Sequence, residues 1–102
     1  MTADPVPPAA RTELERLARR WRQLPLDRAL AHVPDVVALA QSYADAVAAA
    51  AGREGRPLPD LGPGVVIDQL VVTAYDLAAA AGGAGAGERL VEDLAGLRRR
   101  IG

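Results

Sequence analysis

The chain has 102 residues, half of them apolar, and its 12 basic residues, all arginine, nearly balance 13 acidic ones for a net charge of −1. This length suffices for one hydrophobic core but not for two independent domains. An apolar, nearly neutral chain is not typical of disorder. The absence of cysteine excludes disulfides, thiol nucleophiles and thiolate metal sites.

The amino-acid composition also suggests what kind of organism makes the protein and where in the cell the protein is located. The chain lacks asparagine and lysine while alanine, arginine, glycine and proline abound, which indicates GC-rich coding and hence a bacterial protein. Residues 1–10 lack the basic start of a secretory signal, and no uncharged stretch approaches the ~18 apolar residues of a membrane span. We therefore expect a cytoplasmic protein without a membrane segment.

The first part of the chain predicts a tail followed by an amphipathic helix. Three prolines within residues 1–10 predict a flexible, extended tail, which leaves 11–102 as a single helical domain. Residues 11–24 place their apolar side chains on one helical face, and Thr12 with Glu15 has the spacing of a capping box. The apolar face consists of Leu14, Leu17, Ala18, Trp21 and Leu24.

Two prolines divide the next apolar stretch. Residues 26–33 have helical spacing and predict a short helix or a kinked continuation. Because Pro34 cannot donate a backbone hydrogen bond, we expect it to break the chain or to open the next helix, over 34–51. Alanine favours this second long helix, and Gly52 is a natural stop.

The second half of the chain predicts two more helices. Residues 53–64 hold three prolines and three glycines and predict a long loop. Residues 65–81 are rich in β-branched side chains, yet their apolar positions recur at helical rather than alternating spacing. The glycine-rich residues 82–87 predict a flexible linker. Residues 88–101 close the chain with an apolar stripe of leucine and isoleucine.

These elements predict an all-α fold. We expect a small four-helix bundle with an additional short helix, and a long Pro/Gly-rich loop between the second and third long helices. Its alanine-rich faces permit close helix packing but bury little area per residue. A bundle with few large side chains is therefore a candidate for dimerisation.

The sequence offers little catalytic chemistry. Ser42 lies in mid-helix and would need His32 as its base. His32 and Asp35 have the i, i+3 spacing of half a metal site, but a structural zinc site usually needs four ligands. Asp68 and Asp76 lie two turns apart and could form a carboxylate pair, although a solvated helix face explains them more simply. We predict a protein without catalytic, metal or cofactor sites.

Two weaker patterns indicate interaction surfaces. Trp21 and the trio of Asp68, Tyr75 and Asp76 are candidate partner-binding residues, although a lone tryptophan on an apolar helix face is more often a core residue. The candidate anion-binding residues Arg16, Arg19 and Arg20 cluster on the first helix. Glu13 lies on the same side and dilutes the positive charge of that cluster.

The sequence thus predicts a non-catalytic helical bundle that acts through protein–protein contacts, as a homodimer or as an accessory subunit. The alternative is an accessory protein that binds nucleic acid or another anion through its arginine-rich first helix. We consider nucleic acid the weaker partner, because the chain lacks a net basic bias and has three aromatic residues for base stacking.

Overall fold

A computed structural model describes residues 4–81 and 84–102 of the chain, without the side chain of Ala84. The described residues form four α-helices and contain no β-strand, which confirms the predicted all-α fold. The helices are α1 (Pro8–Gln23), α2 (Leu26–Ala50), α3 (Pro63–Ala81) and α4 (Ala84–Ile101).

The N-terminal segment contributes to the core. α1 begins at Pro8, inside the segment for which the sequence predicts a tail. Proline suits the first position of a helix, where the backbone N–H would have no partner. Val6 is 1% exposed, and its backbone N–H donates to Asp4 Oδ1 at 2.9 Å. Residues 1–3 of the predicted tail lie outside the described residues.

α2 is one continuous helix of 25 residues that contains Pro34. The predicted break at this residue, and with it the separate short helix over 26–33, is therefore wrong. A proline inside a helix removes the hydrogen bond to the carbonyl four residues earlier, here that of Leu30. Pro34 is exposed, so water can solvate this carbonyl, and α2 packs extensively against α3. Tertiary packing therefore outweighs the local preference for a break.

α3 is a helix despite its β-branched residues, as its spacing predicts. Val66 and Ile67 are buried in its first turns, and Leu70, Ala74, Leu77 and Ala78 continue the same face. Residues 51–62, between α2 and α3, carry no helix. Within this stretch Gly52 and Gly62 have positive φ angles of 69° and 88°, a region that glycine adopts without steric cost.

α4 begins earlier than its sequence predicts. The expected linker over 82–87 is wrong for residues 84–87, which form the first turn of α4, while residues 82 and 83 lie outside the described residues. Gly87 is buried against Pro7, and a Cβ atom there would approach Pro7 Cγ to 2.8 Å. The N-terminal segment can thus pack against α4 because position 87 is a glycine, although glycine has a low helix propensity.

The helices pack as two pairs around one core. α2 lies mainly against α3 and α1 mainly against α4, with smaller contacts between the pairs. The predicted apolar face of the first helix is buried, as is the stripe of α4 formed by Leu90, Leu94, Leu97 and Ile101. The radius of gyration of 13.3 Å agrees with the ~13 Å typical of a domain of this length.

Candidate interaction surface

Trp21 lies in the core, where its ring connects two helices. Its side chain is 5% exposed, and its Nε1–H donates to the carbonyl oxygen of Pro63 at 3.0 Å. This bond satisfies the polar edge of the indole and links α1 to the first residue of α3. The structure therefore does not present Trp21 to a partner at the protein surface.

The arginine cluster of α1 makes intramolecular contacts. Arg20 Nε donates to the carbonyl oxygen of Gly102 at 2.6 Å. Arg16 lies 3.5 Å from Glu13, whose carboxylate also accepts a 3.0 Å hydrogen bond from Arg98 on α4. Arg19 is exposed. Arg20 thus links the end of α1 to the residue that follows α4, while Arg16 pairs with a carboxylate on its own helix.

The acidic candidates on α3 do not form a single site. Asp68 and Asp76 are exposed, whereas Tyr75 is half-buried against the core. Asp76 lines a cavity between α2 and α3, and Asp68 does not. Among the described residues, no three histidine, aspartate or glutamate side chains are arranged to hold a metal ion.

Ser42 and His32, the candidate catalytic residues, each contact a residue three positions away in the same helix. Ser42 Oγ donates to the carbonyl oxygen of Leu39 at 2.7 Å. His32 Nδ1 lies 3.2 Å from Asp35 Oδ2, and the other oxygen of Asp35 is 3.5 Å from Arg100. The continuity of α2 through Pro34 brings His32 and Asp35 together, and their partner on α4 is a cation rather than another metal ligand.

A polar cluster joins α2 to α4 beside the core. Tyr43 is fully buried, and its hydroxyl donates to Asp93 Oδ2 at 3.1 Å. The Arg89 guanidinium lies over the Tyr43 ring and 3.5 Å from the same carboxylate. Burial raises the pKa of Tyr43 far above its usual range, the Asp93 charge raises it further, and Arg89 partly opposes both. These residues form a structural link in which the tyrosine stays protonated.

Large apolar side chains are exposed along α2 and the start of α3. We call this surface the apolar patch and define it by Leu26, Leu30, Val37, Leu61 and Val65, which are 38–67% exposed. The three α2 members, with half-buried Val33, recur every three or four residues and form one helical stripe. Val33, Val37 and Leu61 line a common cavity of about 280 Å³, which brings the two parts of the patch together.

The connection between α2 and α3 is anchored to both helices. We call residues 53–61 the strap. The Gln41 side chain bonds it at two points: Nε2 donates to Arg56 O at 2.9 Å, and Oε1 accepts from Leu58 N at 2.8 Å. Gln69 Nε2 donates to Pro59 O at 2.9 Å. Leu58 packs on the core, whereas Leu61 is 56% exposed.

Leu58 separates two cavities along the α2–α3 groove. The smaller one adjoins the apolar patch. The larger one measures about 720 Å³ and lies beside the second half of α2, where Val47 and Val72 supply apolar walls. Its charged lining comes from Asp76 on α3 and from Arg53, Glu54 and Arg56 on the strap.

α3 also meets a membrane criterion. Among the described residues it is the one helix long and apolar enough to cross a membrane, judged by length and composition alone, with a mean hydropathy of 1.4. Its buried residues pack within the bundle, and the core helix of a water-soluble bundle passes the same criterion. The criterion therefore does not distinguish a membrane span from a core helix here.

Sequence reasoning missed the patch and the strap anchor. The stripe of Leu26, Leu30 and Val33 has the spacing of a buried helix face, so periodicity alone could not show that Leu26 and Leu30 are exposed. The contact of Gln41 with the strap has no local signal, because its partners there lie 15 and 17 residues further along the chain.

Comparisons of this chain with protein-family models, with curated proteins and with solved structures find no match.

Proposed function

We propose that this protein is a non-catalytic helical bundle that acts through protein–protein contact, as a homodimer or as an accessory subunit, and that the apolar patch is its contact surface. The observation that supports this proposal is the exposure of Leu26 and Leu30, at 67% and 50%. We further propose that the protein is cytoplasmic and needs no cofactor for this role.

The free energy of burial favours such a contact. Full burial of a leucine side chain contributes about 1.5–3 kcal/mol. Large contiguous apolar patches are uncommon on the surface of monomers and often mark an interaction site. The patch also offers both protruding leucines and the cavity beside Val37, which suits a two-fold contact in which one surface supplies both halves. The net charge of −1 imposes little repulsion between two copies.

The arginine-rich alternative has less support. Binding of nucleic acid through α1 would use Arg16, Arg19 and Arg20, of which Arg16 and Arg20 contact groups within the protein. Such binding would weaken steeply as the salt concentration rises. Absorbance at 260 and 280 nm during purification tests for bound nucleic acid.

The first experiment is a molar mass by light scattering on a sizing column over a range of protein concentrations. We expect a mass near twice the monomer for the wild-type chain and a monomer for Leu30→Glu, because the charge would be buried at the contact. Val72→Glu is the matched control, since Val72 is 58% exposed but lies outside the patch.

The outcomes separate the two forms of the proposal. A wild-type monomer at every concentration contradicts the homodimer and leaves the accessory subunit. Equal loss of association in Leu30→Glu and Val72→Glu would contradict the assignment of the contact to the patch.

A further inference from the structure

The strap is held in the α2–α3 groove in the manner of a bound peptide. One side-chain amide, that of Gln41, bonds a carbonyl and an N–H group two residues apart. Both bonds go to backbone atoms of the strap, so they do not depend on which side chains the segment carries. Gln69 adds a third bond, to Pro59 O. The groove therefore already has the polar groups that a peptide site needs.

The strap sequence has the features of a preorganised ligand. Leu58 is its half-buried side chain, while the other strap residues, 53–57 and 59–61, are exposed. Pro57 and Pro59 flank the leucine, restrict the backbone and lack N–H groups that would need partners. A segment that prolines already restrict loses less conformational entropy on binding than a flexible one. One aliphatic side chain and its neighbouring backbone thus make most of the contact.

Two arginines of the strap lie near acidic side chains of the helices. Asp76 on α3 lines the larger cavity together with Arg53, Glu54 and Arg56 of the strap. Asp45 on α2 accepts from Gln41 and lies against Gly55, where a Cβ atom would come 2.6 Å from its Oδ1. Removal of the strap would leave the two carboxylates as the charges of the helices at this end of the groove. A ligand that replaces it gains from a basic residue before its leucine.

We propose that the α2–α3 groove is a peptide-binding site and that the strap is its intramolecular occupant. Its partner is an extended protein segment with an aliphatic residue between prolines and an arginine before them. Such a segment displaces the strap and takes over the bonds to Gln41 and Gln69. The site goes beyond the apolar patch proposed above, because it needs neither self-association nor Leu26 and Leu30.

Because the strap is covalently joined to α2 and α3, it lowers the affinity of the intact protein for a free peptide. A segment tethered at both ends competes at an effective concentration of the order of millimolar. A free peptide therefore binds the wild-type chain weakly, and it binds tightly once the strap no longer occupies the groove. The strap thus acts as an intramolecular competitor that raises the partner concentration needed for binding.

The test uses a labelled peptide with the sequence of residues 53–61 and fluorescence anisotropy. The chain is prepared as wild type and with residues 54–60 replaced by a Gly/Ser linker of equal length. We expect the linker chain to bind the peptide at least tenfold more tightly than the wild type. In the linker chain, Gln41→Ala should weaken binding at least tenfold, and so should replacement of the peptide's leucine by alanine.

Two substitutions distinguish this site from the apolar patch. Val72→Lys, which places a positive charge beside Asp76 in the wall of the larger cavity, should weaken binding of the arginine-containing peptide in the linker chain. Leu30→Glu should leave peptide binding within twofold while it abolishes self-association. The failure of one proposal is therefore visible independently of the other.

Circular dichroism must first show that the linker chain is helical. If the linker chain does not fold, Leu58→Ala in the full chain carries the test, because it removes the half-buried side chain of the strap and so weakens the hold of the strap on the groove. That variant should bind the peptide at least fivefold more tightly than the wild type. Peptide binding that is equal in wild type and in a folded strap variant, or that is insensitive to Gln41→Ala, overturns the proposal.

Discussion

Tyr43 combines full burial with a hydrogen bond to a charged group. Its hydroxyl donates to Asp93, and the same carboxylate pairs with Arg89, so the three side chains satisfy one another between α2 and α4. Burial raises the pKa of Tyr43, because the anion would lose its hydration and face the Asp93 charge. The protein therefore folds with a neutral tyrosine at this position.

This shift predicts the response to alkaline pH. Above about pH 10 the unfolded chain releases the tyrosine proton while the folded chain keeps it. Below that pH, Tyr43 should therefore cause no pH dependence of the free energy of unfolding. Above it, the free energy of unfolding should fall by up to about 1.4 kcal/mol per pH unit because of Tyr43. Urea denaturation between pH 8 and 11 measures the decline.

Two phenylalanine variants give this measurement its control. In Tyr43→Phe the free energy of unfolding should fall less steeply above about pH 10. In Tyr75→Phe the part of the decline that Tyr43 causes should remain. An unchanged slope in Tyr43→Phe would show that another group causes the decline.

Trp21 is a residue whose role depends on the tertiary structure. Because its ring is buried and its Nε1–H bonds Pro63, Trp21→Ala should lower the free energy of unfolding by about 3–5 kcal/mol. The exposed neighbour Arg19 is the control, and Arg19→Ala should change stability by less than about 0.5 kcal/mol. Chemical denaturation followed by circular dichroism measures both. Normal stability with impaired association in Trp21→Ala would instead make Trp21 an interface residue.

The start of α4 shows how packing decides the extent of a helix. Gly85 and Gly87 have the same weak helix propensity, but they differ in what surrounds them. Nothing lies within 4 Å of a Cβ atom at Gly85, whereas one at Gly87 would approach Pro7 Cγ to 2.8 Å. The rigid ring of Pro7 cannot move away without shifting the N-terminal segment.

The two glycines therefore predict opposite effects of alanine. Gly85→Ala should raise the free energy of unfolding by up to about 1 kcal/mol through helix propensity. Gly87→Ala should lower it, because the clash outweighs the same gain. Thermal denaturation of the two variants compares them directly. A stabilised Gly87→Ala would mean that the N-terminal segment does not dock on α4.

At the scale of the whole molecule, the chain folds its first helix onto its last. Glu13 on α1 accepts from Arg98 on α4, and Arg20 and Arg28 donate to the carbonyl oxygens of Gly102 and Ile101. Val6 lies in the same buried cluster as side chains from all four helices. One connected core therefore includes residues from both helix pairs.

This shared core predicts a single cooperative unfolding transition. Trp21 fluorescence reports on the contact between α1 and the start of α3, while far-ultraviolet circular dichroism reports on all helices. The two signals should show the same midpoint in urea, as in two-state unfolding. Separate midpoints would show that the α1–α4 and α2–α3 pairs unfold independently.

Apolar spacing predicted a helix in the central part of each of α1–α4, because this spacing is a local property of the sequence. The residues Leu14, Leu17 and Trp21 and the leucines of α4 were recognisable as core from that spacing. The same reasoning separated α3 from a strand, since its buried residues recur at helical intervals.

Packing between the helices explains where local preferences fail and which apolar residues remain exposed. Packing against α3 carries α2 through Pro34, and the docking of Pro7 brings glycines into the first turn of α4. Leu26 and Leu30 lie on an apolar stripe but remain 67% and 50% exposed. The Gln41 anchor joins residues far apart in the chain. Periodicity shows which side of a helix is apolar, but the positions of the other helices determine how much of that side is buried.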